Sequence, residues 1–161
     1  MTDQLTTMAR DLGELLKASG QTVAVAESSS GGLVSSALLS VPGASAYYLG
    51  GTVIYTKASR KAFVDLDMRR LKDMAPLSEP MAAFFAEAIR TKLDATWGIA
   101  ELGAAGPSGS AYGHPPGTSV IAVDGPVRLS RTVHTHSDDR EKNMWAFAAA
   151  LLGLLSEAVQ P

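Results

Sequence analysis

Three consecutive hydroxyls, Ser28, Ser29 and Ser30, stand between a carboxylate, Glu27, and two glycines, Gly31 and Gly32. Hydrolysis by serine needs a hydroxyl, a base that takes its proton, and donors that hold the developing oxyanion. The serines supply the hydroxyl, and the backbone N–H groups from Ser30 to Gly32 could supply the donors. Residue types alone do not reveal the base. The histidines, His114, His134 and His136, lie in no base motif. A lysine serves when burial lowers its pKa, and Lys57 and Lys61 are candidates. The plainer alternative, which residue types alone favour, is that residues 28–30 cap a helix while both lysines stand in solvent. No G-x-S-x-G elbow is present.

Other chemistries are weaker. Gly31-Gly32 and Gly106-Pro107-Ser108-Gly109 could each wrap an anion, yet neither matches a P-loop or a dinucleotide fingerprint. Arg140 could pair with a phosphate, or with Asp138 or Asp139 on the surface. His134 and His136 alternate on a strand beside Asp138 and Asp139, but no full ligand set has metal-site spacing, so no metal is expected. Glu27 follows an apolar run, which makes it either a part-buried group aimed at the turn or an ordinary surface glutamate.

The elements that must position these groups follow from periodicity. Leu5, Met8, Leu12, Leu15 and Leu16 share one helical face, capped by Thr2 or Asp3 and stopped near Gly20. Val23 to Ala26 reads as a buried strand, the serines as a turn, and Leu33, Val34, Ala37 and Leu38 as a helix ending before Val41-Pro42-Gly43. Such a helix start aims free N–H groups at a bound anion. Residues 48–55 read as a strand whose Gly50 and Gly51 signal a bulge or a close backbone approach. Residues 56–66 predict a short basic helix with Ala62 and Phe63 as its apolar side, and a connector then runs to Pro76. Ser78 caps a helix that buries Met81, Phe84, Phe85, Ala88 and Ile89. Residues 97–102 form a strand, 103–117 a long loop of the kind that often carries function, and 118–123 and 127–135 a pair of strands turning at Asp124-Gly125-Pro126. A last helix over 138–159 carries Met144, Ala148, Leu151, Leu152 and Leu155 as its stripe. Alternating strands and helices predict an α/β fold with a largely parallel sheet, antiparallel near Gly125.

With 161 residues the chain reads as a single domain over 1–161. It has no cysteine, which removes disulfides, thiolate nucleophiles and cysteine-bound zinc. A net charge of -2 without a basic stripe gives no attraction to nucleic acid or anionic membrane. No signal peptide and no bilayer-spanning run is visible, so a cytoplasmic location is expected.

Ordered along the chain, these motifs resemble a known family. Ala26-Glu27-Ser28-Ser29-Ser30-Gly31-Gly32 is similar to the AES-C-T-G-G signature of the CinA C-terminal domain, a family that includes bacterial nicotinamide mononucleotide deamidases. Val41-Pro42-Gly43-Ala44-Ser45 resembles its VPGSS turn, and Gly51-Thr52-Val53-Ile54-Tyr55-Thr56 its GGVVTYS strand. Leu77-Ser78-Glu79-Pro80 resembles its AVSE helix start. Gly103-Ala104-Ala105-Gly106-Pro107 resembles its GIAGP loop, Pro115-Pro116-Gly117-Thr118 its KPVGT, and Asp139-Arg140 its GDR. The resemblance implies a three-layer α/β/α sandwich with a mostly parallel mixed sheet. It implies a serine/lysine hydrolysis of nicotinamide mononucleotide to nicotinic acid mononucleotide and ammonia, without a metal or organic cofactor.

By the same resemblance Ser28 is the nucleophile and the lysine position falls at Arg60, which leaves Lys61, or in second place Tyr55, to relay the proton. Glu27, Ser29, Ser30, Gly31, Gly32, Arg60, Gly103, Ala105, Gly106, Pro107 and Arg140 would surround a mononucleotide-like substrate. No nucleic acid or membrane partner is expected, and homo-oligomerisation through Tyr47-Tyr48 is a candidate. Four positions depart from the family pattern. Arg60 stands where its lysine falls, Leu102 replaces a Thr or Ser, Met74 a His, and Met144 an Arg. Arginine stays protonated and makes a poor base, and Lys61 is turned from Arg60 by about 100° of helix. These departures describe a retuned or disabled pocket. The alternative to the enzyme is therefore an impaired family member that binds a nucleotide or a protein partner.

Overall fold

The computed structural model describes residues 2–160, with side chains from Gln4 onward. The cap expected from Thr2 or Asp3 therefore lies outside the described side chains. Five strands, β1 (Val23–Glu27), β2 (Tyr48–Val53), β3 (Trp97–Ala104), β4 (Thr118–Asp124) and β5 (Leu129–His134), form one sheet in the order β2-β1-β3-β4-β5. β1 pairs in parallel with β2 and β3, whereas β4 is antiparallel to both β3 and β5. Hence β1, β2, β3 and β5 run one way and β4 alone runs the other, a mixed sheet with mostly co-directed strands.

The helices are α1 (Thr2–Ser19), α2 (Leu33–Leu39), α3 (Lys57–Phe63), α4 (Met68–Lys72), α5 (Glu79–Leu93) and α6 (Arg140–Val159), with a 3-10 turn at Ala44–Ala46. Side chains alternate across a strand, and the central strands β1, β3 and β4 are buried on both faces. Val23 and Val25, Trp97 and Ile99, Ile121 and Val123 meet Leu12, Leu16, Leu38, Leu151 and Leu155 from α1, α2 and α6. Ala24, Ala26, Ala100 and Ala122 face Ala82, Phe85, Ala86 and Ile89 of α5. The small residues on that face let α5 lie close. A Cβ on Gly98 would collide with the Ala86 carbonyl oxygen and lie 2.5 Å from the Arg90 Cβ. The three layers expected from the sequence are present.

Ser78 caps α5 as read, accepting from the Met81 N–H, and a capping box of Thr56 and Ser59 that the sequence reading did not mark starts α3. The β1–β2 register skips between Val23/Tyr48 and Ala24/Gly50, so the bulge is real. Gly51 is also a close approach, since a Cβ there would lie 2.5 Å from Ser35 Oγ of α2.

Four readings need correction. Ala62 and Phe63 are exposed, and α3 buries no residue; Val64, just past its end, enters the core instead. The connector before Pro76 contains α4, capped by Asp67 through the Arg69 N–H. Met144 is only half-buried, while Phe147 fills the core at the adjacent helical position. Tyr47 is wholly buried with its hydroxyl on the Leu38 carbonyl at 2.6 Å, so it offers no surface to another copy. The helix read over 56–66 is present as α3, but seven residues span too few turns to mark a buried face, and the five-residue α4 escapes periodicity altogether.

Candidate active site

Glu27 ends β1 and continues the Val23, Val25 face, so its side chain enters the α2 layer. It is fully buried. One oxygen accepts from the Ser35 N–H at 3.0 Å and the Ser35 hydroxyl at 2.6 Å. The other accepts from the Val34 N–H at 3.1 Å and the Ser30 hydroxyl at 2.9 Å. The residue at the N-cap of α2 is Gly32, with φ of 100° and no side chain to cap. Glu27 thus occupies the amides of the first turn from within the chain, a favourable place for a carboxylate. The expectation that this helix start meets an external anion is corrected: an internal one is already there. The plain helix cap by the serines is also not what forms.

Glu101 lies directly beside Glu27 in the β1–β3 register and is also fully buried. Its Oε2 accepts from the N–H groups of Ser28 at 3.0 Å and Ser30 at 2.9 Å, and from the Ser30 hydroxyl at 2.9 Å. Its Oε1 accepts from the hydroxyls of Ser29 at 2.5 Å and Ser119 at 3.3 Å. Burial pushes the Glu101 carboxyl up from the ordinary range, against the pull of these donors. Ser29 and Ser30, expected to touch substrate, therefore turn inward and fasten the turn to β3. Gly103 makes room for this: a Cβ there would collide with Ser29 Oγ and lie 2.8 Å from Glu101 Oε1. Sequence reasoning missed Glu101. Its only signal is a lone charge inside the apolar run Ile99-Ala100-Glu101-Leu102.

A count of the turn's donors shows what remains. The Ser28 and Ser30 amides go to Glu101, Gly31 to the Ser28 carbonyl at 3.1 Å, and Leu33 to the Ser30 carbonyl at 3.3 Å. Among the described residues, the Ser28 hydroxyl and the N–H groups of Ser29 and Gly32 have no hydrogen-bond partner. Of the amides expected to hold an oxyanion, Ser30 and Gly31 are engaged and Gly32 is open, joined by Ser29. Ser28 itself is 3% exposed.

The proton-relay candidates divide. Arg60 is half-buried, its Nε donates to the Ile54 carbonyl at 3.2 Å, and its guanidinium lies 5.5 Å from the centre of the Phe85 ring. Burial lowers its pKa, while the Tyr112 and Glu101 charges oppose that shift. Lys61 is exposed and has neither a hydrogen bond nor an ion pair among the described residues, so the structure does not join its amine to Ser28. Tyr55 is exposed, and its hydroxyl accepts from Arg140 Nη2 at 3.1 Å. Arg140 Nη1 donates to the Gly106 carbonyl at 2.7 Å, so Tyr55, Arg140 and the loop at Gly106 and Pro107 meet. Asp139 instead caps α6 and pairs with Lys142.

The loop after β3 is held by a residue the sequence did not mark. Asn143 is buried, and its Nδ2 donates to the carbonyls of Ala105 at 2.7 Å and Ser137 at 2.8 Å. Its Oδ1 accepts from the Thr135 hydroxyl at 2.5 Å. Met144, one residue on, covers the turn: a Cβ on Gly31 would lie 3.0 Å from the Met144 Cε. His134 and His136 stack with ring centres 5.9 Å apart, beside Pro115 and Pro116.

A cavity of about 490 Å³ opens on the α5 side of the sheet. Lys57, Arg60 and Lys61 of α3 line one side. Leu66, Met68 and Leu71 stand around α4, while Met74, Leu77 and Met81 lead into α5. Leu102 and Gly103 of β3 close one end, with Ser110 and Tyr112 of the long loop nearby. Three of the four family departures, Arg60, Met74 and Leu102, line this one space, whereas Ser28 does not. No helix among the described residues is long and apolar enough to cross a membrane.

Known proteins share this architecture. The family model described as CinA C-terminal domain matches residues 5–159. A CinA-like protein of Parasynechococcus marenigrum is 39% identical over 126 residues, covering 78% of this chain and 30% of its own length. Another from Salinibacter ruber is 36% identical over 147 residues, covering 91% and 35%. The chain thus spans about a third of the length of these curated relatives. Among solved structures, the competence/damage inducible protein CihA from Agrobacterium tumefaciens superposes with a TM-score of 0.89 at 24% identity, covering 98% of this chain and 96% of that one. A competence-damaged protein (CinA) superfamily protein from Escherichia coli gives 0.88 at 25% identity, covering 96% and 90%. Matched by the family model over nearly its whole length and by curated relatives at 39% and 36% identity, the chain belongs to the CinA C-terminal domain family.

Proposed function

We propose that the protein is a serine-type hydrolase of carboxamides, with nicotinamide mononucleotide as the substrate its family resemblance implies. The observation that carries this reading is the unengaged Ser28 hydroxyl beside the unengaged Ser29 N–H, in a turn otherwise fastened by Glu101 and Glu27. The amide of the residue after a nucleophile is a recurrent oxyanion donor. In this reading Ser28 Oγ attacks the carboxamide carbon and gives its proton to Lys61, or in second place to Tyr55. The Ser29 and Gly32 amides hold the oxyanion. The C–N bond breaks as the proton passes to the leaving nitrogen, ammonia departs, and water hydrolyses the acyl-serine. Arg140, tied to the Gly106 carbonyl, would hold the phosphate end beside Gly103, Ala105 and Pro107. The chemistry asks for no cofactor, and the proposed location is the cytoplasm.

The test is ammonia release from nicotinamide mononucleotide by purified protein. Ser28→Ala should lower the rate about a hundredfold or more, since removing a nucleophile leaves only the binding contribution. Lys61→Met should cost a similar factor if that amine is the base. Equal rates for wild type and Ser28→Ala would remove the hydrolase.

A second reading has its own support. Arg60 keeps a permanent cation where a base would stand, and Lys61 touches no group of the turn. The protein would then be an impaired family member that binds a ligand or a partner without turnover. Absence of Ser28-dependent ammonia release decides for it.

A further inference from the structure

The cavity beside the serine turn is sorted by charge. Lys57, Arg60 and Lys61 fall at i, i+3 and i+4, so all three cations share one face of α3. None is paired with a carboxylate among the described residues, and Arg60 holds only the Ile54 carbonyl. Leu71, Met74, Met81 and Leu102 supply the apolar wall, and no carboxylate or carboxamide side chain lines the space. The Ser110 hydroxyl already accepts from the Tyr112 and His114 amides at 3.2 and 3.1 Å. Among the lining side chains the Tyr112 hydroxyl is then the one acceptor left for the hydroxyls of a ribose, and no carboxylate faces a pyridinium ring. The three unpaired cations match any anionic head, a phosphate included, but the apolar wall opposite them suits an apolar body rather than a ribose and a pyridinium. The volume of about 490 Å³ is ample for a small organic molecule, since such sites run from about 300 to 1,000 Å³.

We propose that this cavity binds a small organic anion with an apolar body, such as a medium-chain carboxylate, in preference to a zwitterionic nucleotide. The carboxylate sits on the α3 cations and the body lies along Met74, Met81 and Leu102. Departures from the family pattern at Arg60, Met74 and Leu102 then act together: one adds a fixed cation and two remove polar groups. The inference goes beyond the hydrolase reading and needs no turnover at Ser28.

Isothermal titration with sodium octanoate, octyltrimethylammonium and nicotinamide mononucleotide, with no amide substrate present, tests it. Ammonia release is read separately, so the two readings can fail apart. Octanoate should bind saturably, at least about tenfold tighter than either other probe. Arg60→Gln should weaken octanoate about tenfold, the size of one charge-assisted hydrogen bond. Met74→Gln should weaken it as well. Circular dichroism checks that both variants fold, and if Met74→Gln does not, Leu71→Gln replaces it on the same wall. Mononucleotide or cationic-probe binding that is as tight as octanoate and that competes with octanoate for the cavity overturns the proposal, whereas mononucleotide binding that saturating octanoate leaves unchanged belongs to the Ser28 site. An absence of octanoate binding, or an octanoate affinity that Arg60→Gln leaves unchanged, also overturns it.

Discussion

Ser30 Oγ lies 2.9 Å from an oxygen of Glu27 and 2.9 Å from an oxygen of Glu101, yet it carries a single proton. It can donate to only one of them, so the second contact is relieved when Glu101 takes up a proton. Burial pushes Glu101 in that direction. Glu27 faces it across Ser30, and the Arg60 cation feels its charge from the cavity side. The sign follows from linkage. A carboxyl whose pKa rises on folding binds more protons in the native state, so its contribution to stability falls as pH climbs from about 4.3 through the raised value. Urea denaturation between pH 4 and 8 should show this fall in wild type, and Glu101→Gln should remove it. Identical pH slopes for the two proteins would exclude a protonated Glu101. Glu101→Ala is a separate case, because it strands two amides and the Ser29 hydroxyl. It should cost about 3 kcal/mol or more at any pH. The serine turn was legible as a candidate because its hydroxyls and glycines stand between a strand and a helix start. Residue types alone favoured an ordinary cap until the family motifs were read beside it. Its clamp was not legible, because Glu101 is 73 residues from Ser28 and nothing in a one-dimensional pattern joins them.

At the scale of elements, β1 was readable as a short apolar run buried throughout, and α5 and α6 by apolar residues at helical spacing. What periodicity could not reveal is how the loop from 105 to 117 stays in place. Its start is tied by Asn143 to the Ala105 carbonyl and by Arg140 to the Gly106 carbonyl, both from the first turn of α6. Asn143 reads as a polar interruption in a helix and gives no sign of its partners. Asn143→Leu keeps a similar volume and leaves the Ala105 and Ser137 carbonyls without that donor. It should lower stability by about 2–4 kcal/mol. Limited proteolysis within 105–117 should quicken, since the loop then opens without global unfolding. An unchanged cleavage rate in that loop would show that Arg140 alone suffices to hold it.

Across the whole molecule the sheet separates two cores that do different work. The α1, α2 and α6 side is the larger, and it meets the site through Glu27, Glu101, Ser35 and the start of α6. The α5 side carries the cavity, and Phe85 joins the two: it is fully buried beneath α5 while Arg60 rests on its ring. Two truncations of similar cost should therefore part in function. Leu12→Ala, in the first core, should lose about 3 kcal/mol by opening a cavity far from the cations. Its octanoate affinity at temperatures where it remains folded should match wild type. Phe85→Ala should lose about 3–5 kcal/mol and also weaken octanoate, because Arg60 loses the surface that holds its guanidinium toward the cavity. Urea midpoints give the first quantity and isothermal titration the second. Equal octanoate affinities in the two variants would mean that the α5 core supports the fold without positioning the site.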